Sequence, residues 1–224
     1  MCGRYVQFSL FPLLKQEFNL RGEAPDLVPS WNIAPTRDVP VVVNEKGNRL
    51  LLCRWGLIPP WSRDPSTGSR MINARAETLA VKPSFKVPFR KHRCLIPADG
   101  FYEWKKEGKG KTPLYITMKD GRPFSFAGLY SDWSAPGRET IRTCTIVTTG
   151  ANRLIAPIHD RMPAIIPKEK RDLWLDPQIQ DPGKLTQLLI PYPSEEMEAW
   201  EVSKRVNSPR NDSPENIRKT VPGT

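Results

Sequence analysis

The sequence predicts an α+β fold: a strand-dominated single domain with a barrel-like, mostly antiparallel sheet and a few short flanking helices. Three observations lead there. The 24 prolines are scattered along 224 residues, and proline breaks helix interiors and is kept to the margins of sheets. Short apolar runs alternate with Gly-, Asn- and Asp-containing turn signals. The run Ile141–Thr149 is rich in β-branched residues and reads as a central strand.

The elements follow in order. Leu10, Leu14 and Phe18 recur at helical spacing, predicting a short amphipathic helix over residues 10–19. Val39–Asn44 and Arg49–Trp55 flank Glu45-Lys46-Gly47-Asn48, a hairpin. Arg93–Pro97 and Phe101–Lys106 are strands, residues 108–111 a turn, and Leu114–Met118 the returning strand. Lys119-Asp120-Gly121 is a hairpin signal, because Asp-Gly suits positive φ, and Pro123–Tyr130 returns from it. Lys168–Leu175 follows Pro167, and Lys184–Leu189 follows Asp181-Pro182, a cap with Pro at the first helical position, so both are predicted helices. Trp200–Val206 is expected as the last strand. No internal repeat and no break in composition divides residues 1–206, which are expected to be one domain. Residues 207–224 are polar and aperiodic and are expected to be a flexible tail.

Composition narrows the function. The net charge is +10, with lysine and arginine recurring throughout the chain, which favours polyanionic partners, although charge spread over an ordinary surface would look the same. The chain is too apolar and aromatic for disorder, and it carries no apolar run long enough for a membrane helix. The start, Met1-Cys2-Gly3-Arg4-Tyr5, shows no secretory signal. Cys2, Cys53, Cys94 and Cys144 lie far apart with no CxxC pair, which argues against a zinc knuckle or a disulfide framework. A reduced, cytoplasmic, monomeric protein without metal or cofactor is expected.

Few residues can carry chemistry. Removal of Met1 would give Cys2 a free α-amine, with a pKa of about 7.7–8.0, beside a thiol of about 8.5. Such a 1,2-aminothiol condenses with an aldehyde to an imine and closes intramolecularly to a thiazolidine. The alternative is that Cys2 is only a second residue. His159, between Pro157 and Pro163, suits a rigid loop carrying a proton shuttle; a structural histidine is equally compatible. His92, in a basic run, reads as solvated. Glu103 alternates with aromatics, so Phe101 and Glu103 share one face and Tyr102 and Trp104 the other. A carboxyl on an apolar face is costly unless it works as an acid or base, the alternative being an edge-strand glutamate. Asn73 could orient a reacting oxygen and Arg75 could hold a phosphate, or they could be a turn residue and a surface charge. Trp55 fits a core and Trp61 an exposed stacking surface.

Together these segments resemble the SRAP (SOS response-associated peptidase) family, whose members process abasic sites in single-stranded DNA. The resemblance runs in order through residues 1–5, 31–35, 55–59, 72–78, 97–104 and 158–163. It implies that Cys2, freed of Met1, cross-links to the ring-opened aldehyde of an abasic site as a thiazolidine. It further implies that Asn73 positions the sugar, Glu103 relays protons and His159 assists ring opening and reversal. Arg4, Arg75 and Arg161 match basic positions along the strand. Asn32, Pro35 and Trp61 match positions that contact DNA or wedge a junction between single and double strands. A latent β-elimination (lyase) activity and self-processing of Met1 are further implications.

Three other readings compete. Met-Cys-Gly also begins N-terminal-nucleophile glutamine amidotransferases, in which the cysteine attacks an amide. A Cys–His protease would use Cys2 or Cys144 with His159, although Cys144 lies on a buried-looking strand. A non-enzymatic single-strand binder would leave Cys2, Glu103 and His159 unexplained.

Overall fold

The computed structural model describes residues 2–220 except 24, 109, 136 and 138. In chain order the strands are β1 (Tyr5–Gln7), β2 (Ser30–Ile33), β3 (Asp38–Asn44), β4 (Asn48–Trp55), β5 (Asn73–Arg75), β6 (Arg93–Ala98), β7 (Gly100–Glu107), β8 (Gly110–Met118), β9 (Phe124–Trp133), β10 (Ile141–Gly150), β11 (Arg161–Pro163) and β12 (Met197–Glu201). The α-helices are α1 (Phe11–Glu17), α2 (Pro83–Lys91), α3 (Arg171–Leu175) and α4 (Pro182–Thr186).

A barrel closes through five of these strands, in the order β10-β4-β3-β6-β9 and back to β10. The pairings are antiparallel except β10 with β4. The predicted fold class is the one observed. Alternation along β3 explains why closure is favourable. Val39, Val41 and Val43 point into the barrel with Cys53, Trp55, Ile96, Cys144 and Ile146. Val42 points outward with Leu50, Leu95, Leu129 and Val147, beneath Leu14 and Phe18 of the α1 region, Phe85 and Phe89 of α2, and Trp174 of α3. A strand buried on both faces reads as a continuous apolar run. Each such side chain contributes about 1.5–3 kcal/mol on burial.

The second sheet has the order β12-β8-β7-β1-β2 and is antiparallel throughout. Its inner face, with Tyr5, Phe101, Ile116 and Met118, joins the barrel core. Tyr5 sits edge-on to Trp55 and Phe126, with ring centroids 5.3 and 5.7 Å apart. Its outer face carries Val6, Tyr102 and Tyr115, packed with Trp31, Trp104, Trp200 and Val206. Gly100 is required where the two faces meet: a Cβ there would lie 2.3 Å from the Tyr115 ring.

Several elements differ from the sequence reading. The sequence reading assigns no element to residues 83–91, where helix α2 lies. Pro83 starts the helix, and Pro88 is carried inside it, where burial of Phe85, Pro88 and Phe89 offsets the lost hydrogen bond. The last strand is β12, ahead of the expected Trp200–Val206, and residues 204–207 form a 3-10 turn. Helix α4 begins at Pro182, directly after its Asp181 cap, and ends by Thr186 rather than Leu189.

The segment expected to be a flexible tail is instead laid against β2 and then against the end of β12, as far as Thr220. Asp212 accepts from Ser30 Oγ at 2.7 Å and from Trp31 N at 2.6 Å. Asn216 is buried, and Val202 bridges to Lys219. Polar, aperiodic composition hid this docking because it is made by hydrogen bonds and tight turns, which leave no hydrophobic period. Residues 221–224 lie outside the described residues. No helix among the described residues is long and apolar enough to cross a membrane.

Candidate active site

Strand pairing assembles the site. The end of β10 is the hub: Asn73 and Arg75 of β5 pair with Ile146 and Thr148, and Arg161 of β11 pairs with Gly150. Asn73 and Arg75, two residues apart on a strand, share a face, while Ala74 between them enters the core on the other side. Strand β5 is seated by Trp55, whose Nε1 donates to Ile72 O at 2.9 Å. From the other sheet, β1 pairs with β7 through Tyr5–Phe101 and Val6–Gly100. Tyr102 N donates to Arg4 O at 3.0 Å. Continued one pair further, this antiparallel register carries Gly3 opposite Glu103 and Cys2 just beyond it.

Cys2 is fully buried, in one apolar cluster with Tyr5, Phe101 and Ile146. Its backbone carbonyl accepts from Asn73 Nδ2 at 2.8 Å, which joins the N-terminal end of the second sheet to the barrel. The Cys2 thiol points towards Arg4 O at 3.9 Å. Burial pushes this thiol well above its ordinary pKa, and the negative charge of Glu103 pushes it further. The sequence reading expected a thiol near its free value; the site instead holds a neutral S–H. Asn73 Oδ1 is also buried and accepts no hydrogen bond among the described residues.

Glu103 is 4% exposed on β7, an interior strand between β8 and β1, so it is not an edge-strand glutamate. The predicted division of faces is observed: Phe101 lies in the central cluster, and Tyr102 and Trp104 pack on the outer face. Glu103 and His159 line the same cleft of 530 Å³, with Trp104, Lys106, Lys111 and the 156–160 turn. That turn is held by Asn152, whose Oδ1 accepts from Ile155 N at 3.0 Å and whose Nδ2 donates to Tyr192 O at 2.7 Å. The sequence reading credited the flanking prolines and missed Asn152.

His159 Nδ1 accepts from Arg161 N at 2.9 Å and lies 2.8 Å from Asp160 Oδ1. A neutral ring satisfies the first contact with its proton on Nε2, whereas an imidazolium suits the second. Asp160 is largely exposed, so the backbone contact is the better-shielded one.

The predicted DNA-facing residues divide. Arg75 is exposed beside Asn73, and Trp61 is 60% exposed on the loop after β4, with Pro35 half-buried at the turn between β2 and β3. Asn32 lies inside the protein. It is 3% exposed, and its side chain is consumed inside the protein. Oδ1 accepts from Arg4 Nη1 at 2.6 Å, and Nδ2 faces Asn211 O at 2.6 Å and Ser208 O at 3.0 Å. Arg4 is engaged likewise, with Nη1 donating to Val206 O at 2.8 Å and the guanidinium 5.9 Å from the Trp104 ring. Arg161 makes a two-pronged ion pair with Glu77, at 2.7 and 3.0 Å, and donates to Thr148 O. Its charge is therefore compensated before any ligand arrives. Glu77 was missed as a partner although it lies in the same short segment as Asn73 and Arg75.

Comparison with known proteins agrees with this geometry. The sequence matches the family described as SOS response associated peptidase (SRAP) over residues 1–209. It is 48% identical over 221 residues to abasic site processing protein YoqW of Bacillus subtilis (strain 168), covering 97% of this chain and 99% of that protein. It is 35% identical over 220 residues to abasic site processing protein HMCES of Gallus gallus, covering 84% of this chain and 65% of that protein. An X-ray structure of a protein from Bacteroides thetaiotaomicron superposes with a TM-score of 0.89 at 29% identity, covering 98% of this chain and 100% of that one. Matched along nearly its whole length, the chain belongs to the SRAP family.

Proposed function

We propose that this protein processes abasic sites in single-stranded DNA by covalent capture at Cys2 after loss of Met1. One observation carries the reading: the buried Cys2, its carbonyl held by Asn73, lies within reach of the charge of Glu103, which in turn lines a cleft together with His159.

The chemistry follows from these atoms. The Cys2 amine adds to C1 of the ring-opened sugar to give a carbinolamine. Protonation of its hydroxyl by Glu103 releases water and leaves an iminium ion. Sγ then adds to C1, and the thiol proton passes to Glu103, closing the five-membered ring. The net change is aldehyde plus aminothiol to thiazolidine plus water. A neutral thiol needs a base for the last step, and a neighbouring carboxylate supplies one. His159, which lines the same cleft, serves the sugar oxygen during ring opening. Asn73 Oδ1, buried without a donor of its own, is suited to accept from a sugar hydroxyl. If Sγ is absent, the iminium acidifies the adjacent C–H, and β-elimination of the 3′ phosphate cuts the strand.

Mass spectrometry of the protein before and after incubation with single-stranded DNA carrying one abasic site tests this reading. We expect a chain lacking Met1 and an adduct mapping to Cys2. In Cys2→Ala the amine remains, so heat-stable cross-link is lost and cleaved strand rises. A heat-stable cross-link in that variant would overturn the thiazolidine assignment. Retention of Met1 would overturn the whole mechanism.

A further inference from the structure

The β7–β8 hairpin runs past the cleft and carries charge that the chemistry above does not use. Its register places Lys105 opposite Thr112 and Lys106 directly opposite Lys111. The hairpin treats its lysines differently. Lys105 pairs with Glu107 at 2.9 Å. Lys106 and Lys111 are both exposed, both line the cleft shared by Glu103 and His159, and neither takes part in an ion pair among the described residues. Like charges directly opposite one another across an antiparallel pair are destabilising. Two unneutralised ammonium groups at that spacing form a natural seat for one doubly coordinated anion, which would turn the repulsion into attraction.

Two of the arginines near the site are already committed, whereas Arg75 is exposed beside Asn73 on β5. Arg161 is neutralised by Glu77, and Arg4 is held by Asn32 and the Val206 carbonyl. The residues lining the Glu103–His159 cleft carry their lysine charge on the hairpin, beyond Glu103 along the same strand.

We propose that Lys106 and Lys111 together bind one backbone phosphate of the DNA strand next to the abasic nucleotide, and so set where the strand leaves the cleft. This rests on the reading of the cleft as the abasic-site pocket. The two lysines are positioning residues: they touch the strand, not the reacting carbon.

The test is the salt dependence of binding to undamaged single-stranded DNA, with covalent capture of abasic DNA followed in parallel. On single strands each phosphate contact contributes about 0.7 to the slope of log affinity against log salt. The double substitution Lys106→Gln/Lys111→Gln removes one phosphate contact and is expected to reduce that slope by about 0.7. Equivalently, the affinity gap between parent and variant narrows about 2.6-fold from 50 to 200 mM salt. Capture should need more DNA to reach half its maximal rate, with the maximal rate at saturation unchanged. Lys106→Arg/Lys111→Arg should restore the parental slope. A control that removes the same charge elsewhere, Lys86→Gln on α2 with Lys184→Gln on α4, should leave the slope as in the parent.

An unchanged slope in the Gln pair overturns the proposal. So does an equal loss in the control, which would show only net charge. A fall in the maximal rate with the slope intact would also overturn it, by placing the lysines in the chemistry. Absence of any adduct in the parent is a separate failure, of the abasic-site reading, and is distinguishable because the slope is measured on undamaged DNA.

Discussion

Asn32→Ala separates a structural tie from a DNA contact. Asn32 is 3% exposed and joins three parts of the chain: β2, Arg4 ahead of β1, and the 206–211 segment. Its NH2 group has two hydrogens and faces three carbonyls, so the contacts at 2.6 Å to Asn211 O and 3.0 Å to Ser208 O are taken as the working bonds, and the 3.3 Å contact to Val206 O as the weak one. Two neutral hydrogen bonds contribute about 1 kcal/mol each, and the bond from the Arg4 guanidinium about 1.5–3. Arg4 keeps Val206 O, and the released carbonyls lie close enough to the surface to regain water. The net cost is therefore about 2–4 kcal/mol. For a chain of this size, 1 kcal/mol shifts Tm by about 2–4 °C, so Tm should fall by roughly 5–15 °C. Differential scanning calorimetry reads this, and hydrogen exchange should show protection lost first across residues 206–217. The reasoning is refuted if Tm moves by less than about 2 °C while single-strand binding falls tenfold, since Asn32 would then be spending its side chain on DNA.

Two further outcomes are expected. Burial raises the Glu17 pKa, but the hydrogen bonds from Lys168 and Arg171 outweigh it and hold the folded carboxyl below its ordinary value. Glu17 therefore stabilises the fold above its unfolded pKa of about 4.3 and loses that contribution as pH falls through the lower folded value. Thermal unfolding of Glu17→Gln should show a lower Tm at pH 7 and a shallower decline between about pH 5 and pH 3 than the parent; parallel curves would refute the assignment. Trp61 is 60% exposed, so Trp61→Ala should leave stability within about 0.5 kcal/mol. If its ring stacks on a base, fluorescence-anisotropy titrations should show single-strand affinity falling by about 1–3 kcal/mol; equal affinity would remove Trp61 from the interface.

The sequence by itself determined the strand-rich fold class, most hairpins, the division of faces around Glu103 and the short list of reactive residues. Those features are local: turn chemistry and the two-residue period are written into neighbouring positions. Helix α2 was illegible because local proline penalties ran against a tertiary burial term that outweighs them. Contacts between distant positions were decided only by the folded structure. Strand β10 brings Asn73 and Arg161 to one rim, Asn73 reaches the Cys2 carbonyl across 71 positions, and Asn32 reaches the 206–211 segment across more than 170. No periodicity encodes such pairings. Tertiary structure also changes the Cys2 thiol, which looked ordinary in sequence: desolvation in the core, with the Glu103 charge beside it, outweighs the lowering effects of its neighbours and raises its pKa.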